Sequence, residues 1–392
     1  MRPAEMSNRT TPVWANTRVS ARLGIKYPII QGPLGGFSSQ RLTAAVSNYG
    51  GLGSFGGHGL TPGAIKNVIA ELRSMTEKPF AMNLWVSMED PGARTSDEAA
   101  FKRSLAAIAP LIVSLGGTLP SYTPYSPIKF EEQARVLIDA KVPAFSFIYG
   151  IPPKEILDEC RAKGIVTIGA ATTPGEAIEL QKANVDVIAA SGFEAGGHRG
   201  SFLRASEDSL TGTFSLVPQV ADLVSAPVVA AGGIADARGI VAALVLGAEG
   251  VQIGTAFLAC EESGASLGHR QALLGGKAGH TALTRGFTGR LARGIRNQLL
   301  DTMNAPGANI LPYPLQRFLM RNVSGPAEKS GHAELIPMWS GQTANLVHHT
   351  KATELLDALV SGVSAMIDRH FCREEQARLS DYQEDPSKDA AL

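Results

Sequence analysis

Along the chain, short runs of β-branched and other apolar residues recur, each closing on glycine or a small residue. Most are followed by a longer stretch with apolar positions at helical spacing. Runs of this length read as buried strands, and the stretches between them as amphipathic helices. The pattern predicts strands at residues 27–31, 51–55, 80–85, 143–147, 166–171, 185–191, 227–233 and 250–257, eight in all. Strands that alternate with helices pair in parallel through right-handed crossovers, and eight such units suit a closed barrel better than an open doubly wound sheet. The fold class expected is α/β, a (β/α)8 TIM barrel with inserted helices and loops near its C-terminal face.

Helix starts are marked by Ser39, by Thr61-Pro62-Gly63, by Thr173-Pro174-Gly175-Glu176 and by Asp236, and helix ends by Gly50 and Gly247. These are the residue types that satisfy free amides at a first turn and permit the turn after a last one. Two stretches break the rhythm. Residues 89–142 contain a strand-like run at 109–115 and the insertion GGTLPSYTPYSP. Residues 263–331, rich in glycine, arginine and histidine, follow the last strand and are expected to form helices and loops beside the barrel mouth. Helical spacing returns at 346–367. The expected layout is an N-terminal extension at 1–20, one barrel unit at 21–372 that includes 263–331, and a charged tail at 373–392.

The 392 residues are 44% apolar and 18% charged, with 36 basic and 36 acidic side chains, which excludes a disordered or collagen-like chain. A formal net charge of zero offers no field to draw nucleic acid or an anionic membrane, so small-molecule partners are expected. No apolar secretion segment is seen near the N-terminus. The best membrane candidate, 239–248, has about half of the roughly twenty residues that a span needs and reads as a buried helix. Cys160, Cys260 and Cys372 are widely spaced without a CxxC, which suits a reducing compartment, and a cytoplasmic location is expected. Monomer and homodimer both remain open.

In a barrel the C-terminal ends of all the strands meet at one mouth, so their residues can be compared as one site. After the first strand, Gln31-Gly32-Pro33-Leu34-Gly35-Gly36 is either a tight turn or a backbone that approaches a flat ligand closely. Gly51-Leu52-Gly53-Ser54-Phe55-Gly56 contains GxGxxG, but its glycines lie within or before a strand and do not open a helix, so a dinucleotide role is set aside. His58 beyond it reads as a loop histidine. Asn83, in FAMNLW, is either a polar ligand contact or a satisfied buried amide. The strongest signal is His198 within SGFEAGGHRG, an imidazole in a glycine-rich loop where it can stand over a ligand and exchange protons. Ala231-Gly232-Gly233-Ile234 and Gln252-Ile253-Gly254-Thr255, at the last two strand ends, suit a phosphate. Thr284 to Arg290, with Arg293 and Arg296, forms a basic cluster that could screen a phosphate or an anionic substrate but reads first as a solvated helix face. His332 and the His348-His349 pair lack companion ligands nearby, so no metal site is expected.

Together these stretches resemble the nitronate monooxygenase family, long called 2-nitropropane dioxygenases. The resemblance runs from about Tyr27 to Gln342 and rests on YPIIQGPLGG, GGLGSFGG, AMNLW, GFEAGGHRG, APVVAAGGIADARG, GVQIGTAF and PMWSGQ. It implies an FMN-dependent TIM barrel. FMN is expected on Asn83, Gly196, Gly233 and Gln252-Ile253-Gly254-Thr255, over Pro33 and Leu34, with Gly35, Ser191, Gly197 and Gly232 beside it and His198 as the catalytic histidine. Ser191 stands where members commonly carry glutamine, and its shorter side chain leaves a flavin or substrate contact to water. Members are usually shorter, which marks the segments around Tyr122 and 263–331 as inserts that reshape the pocket. The implied reaction is oxidation of an alkyl nitronate, or of the nitroalkane that gives it, by dioxygen to a carbonyl compound and nitrite. Two other readings stay open: an FMN-dependent NAD(P)H reductase of the same superfamily, acting on enoyl-acyl-carrier protein or quinone, and a non-redox phosphate-binding barrel.

Overall fold

A computed structural model describes residues 11–125 and 128–372. The first elements are α1 (Arg18–Leu23), β1 (Ile29–Gln31), α2 (Gln40–Tyr49), β2 (Gly53–Gly56), α3 (Pro62–Met75), β3 (Phe80–Trp85), α4 (Glu98–Ser114) and α5 (Phe130–Asp139). β4 (Ala144–Ile148), α6 (Lys154–Ala162), β5 (Val166–Ala171), α7 (Pro174–Lys182), β6 (Val187–Ser191) and the two-residue β7 (Gly197–His198) follow. Then come α8 (Thr213–Leu223), β8 (Val228–Ala231), α9 (Ala237–Val245), β9 (Gly250–Ile253) and α10 (Thr255–Leu258). All eight expected strands are present as parallel neighbours in the order β1-β9-β8-β6-β5-β4-β3-β2. A parallel bridge between Ile30 and Leu52 joins the two edges and makes the sheet a (β/α)8 barrel.

The period of two along each strand sorts the side chains. Ile30, Leu52, Ala81, Ala144, Ile168, Val187, Ala189 and Val229 form one cluster inside the barrel, and Val19, Leu23 and Ile25, on and after α1, close it from below. Their neighbours in sequence, among them Ile29, Met82, Phe145, Phe147, Ile188 and Val228, turn outward into the layer beneath the helices. Each such fully buried large side chain contributes roughly 1.5–3 kcal/mol. Two residues further along each strand, on the inward face, the lining changes from apolar to small or polar: Asn83, Ala170, Ser191, Ala231 and Gln252 face a cavity at the mouth. The same alternation that builds the core therefore ends by presenting the site.

All four expected N-caps form. The side chains of Ser39, Thr61, Thr173 and Asp236 accept from Leu42, Ala64, Glu176 and Arg238 amides respectively. Other expectations need correction. The eighth strand stops at Ile253, because Gly254 turns into helical geometry and α10 follows. The run at 109–115 is no strand but the end of α4, where Ser104, Ile108 and Ile112 are buried at a spacing of four, on one helix face. Stretch 239–248 falls largely in α9, which buries Ile240 and Ala243 and leaves Val245 70% exposed, so one face only is covered. The expected boundary at residue 20 lies inside α1, and the helix foreseen at 346–367 is α14, Ala352–Ile367.

Between α10 and α14 lie α11 (Leu267–Leu274), β10 (Thr281–Thr284), β11 (Ala292–Ile295), α12 (Gln298–Asn304) and α13 (Leu315–Lys329). This region is not helices and loops alone: β10, β11 and β7 form a three-stranded antiparallel sheet over the mouth. The charged tail at 373–392 lies outside the described residues. No described helix is long and apolar enough to cross a membrane.

Candidate active site

The cavity at the mouth has a volume of about 490 Å³, within the range of small-molecule sites. Its floor comes from the strand ends. After β1, Pro33, Leu34 and Gly35 line it, and the turn is fixed because the Leu34 carbonyl accepts from Phe37 N at 2.7 Å and from Ser38 Oγ at 2.9 Å. Ser38 Oγ in turn accepts from Gly56 N at 2.9 Å, tying this loop to β2. Asn83 is buried and donates through Nδ2 to Ser146 Oγ at 2.9 Å. Gln252, Gly254 and Thr255 line the cavity after β9, and Gly232 and Gly233 after β8, with Gly232 at a φ of 97° that a side chain resists. Ile253 does not belong there: its side chain is fully buried on the outward face, and its carbonyl accepts from Gly32 N at 2.8 Å.

The loop after β6 is held at both ends. Glu194 accepts from the amide and hydroxyl of Thr213, each at 2.9 Å, at the start of α8. Arg199, buried, donates to the carbonyls of Ser209, Thr172 and Ser191 and so ties the ends of β5 and β6 together. Between them, Gly196 lies against Ser340 and Gly341, where a Cβ would come within 2.5 Å of backbone. This holds His198 on β7, paired with Ala292 of β11. Its Nε2 lies 2.8 Å from Thr288 Oγ1, and its ring meets Trp85 at 4.8 Å and Trp339 at 5.0 Å. Burial, followed by the positive charges of Arg317 and Arg290, pulls the proton affinity of His198 down to about 3. The imidazole is neutral at neutral pH.

Several residues of the site were not foreseen. His58 is no ordinary loop histidine: it is buried, stacks flat on Trp85 at 4.0 Å and takes a hydrogen bond from Arg317 at 3.1 Å through Nε2. Its Nδ1 has no partner among the described residues, and burial first, then Arg317, holds its proton affinity well below the ordinary value. Arg290 does not lie on a solvated helix face. It is buried, pairs with Asp90 at 2.7 Å, and places its guanidinium 4.1 Å from the Tyr149 ring and 4.4 Å from that of Tyr313. Arg293, on β11, is buried too. Trp85 and Trp339 sat in quoted motifs, but Thr288, Tyr149, Tyr313 and Arg317 carried no local signal.

Three successive strand ends thus offer amides to the cavity. Those of Gly196, Gly232, Gly233, Gly254 and Thr255 make no hydrogen bond among the described residues. Free amides at one side, and a flat floor of Pro33, Leu34 and Gly35 walled by aromatic rings, fit a planar ring with a phosphate tail. No group of three His, Cys, Asp or Glu among the described residues could hold a metal ion.

Comparisons with known proteins agree with this geometry. The family model for nitronate monooxygenase matches residues 16–362. A probable nitronate monooxygenase of Staphylococcus haemolyticus is 40% identical over 91% of this chain and 99% of its own, and one of Staphylococcus aureus is 37% identical over the same shares. Among solved structures, nitroalkane oxidase from Streptomyces ansochromogenes superposes with a TM-score of 0.81 at 33% identity, covering 89% of this chain and 98% of that one. FabK from Thermotoga maritima gives 0.70 at 28%, with 90% and 98% covered. The chain belongs to the nitronate monooxygenase family. It is an oxidoreductase with a flavin as its class of cofactor, which removes the non-redox barrel from consideration.

Proposed function

We propose that this enzyme oxidises alkyl nitronates to a carbonyl compound and nitrite, with FMN as the bound flavin and dioxygen as the electron acceptor. The observation that carries the reading is His198, neutral and without a carboxylate partner among the described residues, between two tryptophans at the edge of a cavity floored by glycine amides. The unpaired amides of Gly196, Gly232, Gly233, Gly254 and Thr255 would hold the phosphate. Pro33, Leu34 and Gly35 would lie beneath the ring, with Asn83, Ser191, Gly197 and Gln252 beside it. When bound, FMN supplies the redox chemistry that takes electrons from a nitronate and gives them to dioxygen.

The chain's own residues do the rest. Trp85 and Trp339 flank the imidazole. Thr288 Oγ1 accepts from Arg290 N at 3.4 Å and lies 3.5 Å from the Arg290 carbonyl. With its hydroxyl turned to that carbonyl, Thr288 accepts from His198 Nε2–H and leaves Nδ1 as the lone-pair nitrogen. Neutral, with Nδ1 carrying a lone pair, the imidazole is in the form that can take the Cα proton of a nitroalkane or orient a nitronate already formed.

The test is the visible spectrum of the purified protein, followed without oxygen while a nitronate or NADH is added. Bleaching of the flavin band by the nitronate alone is expected. Bleaching by NADH alone would make the enzyme an NAD(P)H reductase and overturn the proposal.

A further inference from the structure

Helix α13 runs along one side of the mouth, and Arg317, Arg321, Ser324 and Glu328 recur on the face that lines the cavity. Three arginines nearby on the chain meet carboxylates, Arg285 with Glu207, Arg290 with Asp90 and Arg296 with Asp301, while the buried Arg293 donates to the Phe193 carbonyl and to Thr281 Oγ1. Arg317 and Arg321 pair with none among the described residues. Arg317 donates through Nη1 to His58 Nε2 at 3.1 Å and to the Tyr313 hydroxyl at 3.3 Å, which fixes the guanidinium while Nε and Nη2 make no hydrogen bond among the described residues. The acid of the lining, Glu328, is eleven residues further along the helix, about 16 Å of rise away. Both cavity histidines are neutral, so the innermost fixed charge at the mouth is positive and lacks a counter-ion.

We propose that Arg317, with Arg321 one turn behind it, binds the anionic nitro group of the substrate and makes the enzyme select a nitronate over the neutral nitroalkane of the same skeleton. The assignment rests on the nitronate reading above. A guanidinium fork matches two oxygens that share a negative charge, and a partly buried site strengthens that attraction relative to water. A neutral nitroalkane offers dipoles alone. The same charge depresses the proton affinity of His198, so one residue both recruits the anion and keeps the imidazole from competing for its place as the cation of the site.

The test uses the flavin-loaded enzyme and its Arg317→Met, Arg317→Lys and Arg321→Gln variants. KM is measured for an alkyl nitronate, the matching nitroalkane is read as substrate or competitive inhibitor, and inorganic nitrate serves as a planar anionic inhibitor. Arg317→Met is expected to raise the nitronate KM and the nitrate Ki by about tenfold to a hundredfold, the range for a charged hydrogen bond. The constant for the neutral compound stays within about twofold, since uniform binding of the neutral form never used the charge. Flavin content stays unchanged, and Arg317→Lys recovers most of the loss. Arg321→Gln, on an exposed side chain whose change leaves folding intact, gives a smaller shift of about two- to fivefold, as expected of a screened charge. Equal losses for charged and neutral compounds overturn the assignment, and so does flavin loss in Arg317→Met, which would place the arginine on the cofactor. A wild-type enzyme inert toward every nitronate overturns the functional reading instead, and it is seen before any variant is made.

Discussion

The floor of the site and its cover recognise by different means. The strand ends contribute backbone amides and small side chains, at Gly196, Gly232, Gly233, Gly254 and Thr255. The cover, from β10 to the segment around Trp339, contributes side chains: Thr288 on His198, Arg290 among aromatic rings, Arg317 on His58. Backbone amides suit a ligand that never changes, whereas side chains can differ without disturbing the barrel. Under the function proposed above, cofactor binding would fall to the floor and substrate choice to the cover.

The largest effect expected is at their junction. His198→Asn should lower turnover of a neutral nitroalkane by about 10²–10⁴, the range for a lost proton acceptor, and that of the nitronate by far less. Flavin absorbance per protein should be unchanged. Equal losses on the two substrates would remove the proton-transfer role. On the floor, Gly196→Val drives side-chain atoms into Ser340 and Gly341, so flavin should be lost on purification, with a destabilisation of about 1–3 kcal/mol in thermal unfolding. A variant that keeps its flavin would move the phosphate away from this loop. In the cover, Thr288→Val should reduce kcat by about three- to tenfold with flavin retained, as expected for one neutral hydrogen bond that sets a tautomer. An unchanged kcat would mean that Thr288 does not orient the ring. The smallest effect is expected at Ile253→Val, about 0.5–1.5 kcal/mol of stability with flavin binding untouched, because this side chain packs in the outer core. Weakened flavin binding there would return Ile253 to the site.

The same division governs what the sequence could reveal. The floor was legible because strand, glycine-rich end and helix cap follow one another within a few residues, as at Ser191 to His198 and Gly232 to Asp236. The run at 109–115 misled because Ile112 and Val113 are strand formers, while the helical spacing of Ser104, Ile108 and Ile112 begins further upstream. The cover was illegible because its contacts join residues far apart: Thr288 meets His198 across ninety positions and Arg317 meets His58 across 259. The arginines near 290 were visible, but their burial against Tyr149 and Tyr313 was not. His58 was undervalued for the same reason, since neither its stacking on Trp85 nor its burial has a local signature.

The plug formed by Val19, Leu23 and Ile25 has a consequence for traffic. With the base closed by these side chains, the described cavity lies at the mouth, and under the function proposed above the nitronate and the nitrite it yields would share the side lined by α13. Nitrite, the anion released, would then compete with the next nitronate for Arg317 and Arg321, and the enzyme would slow as its own product accumulates.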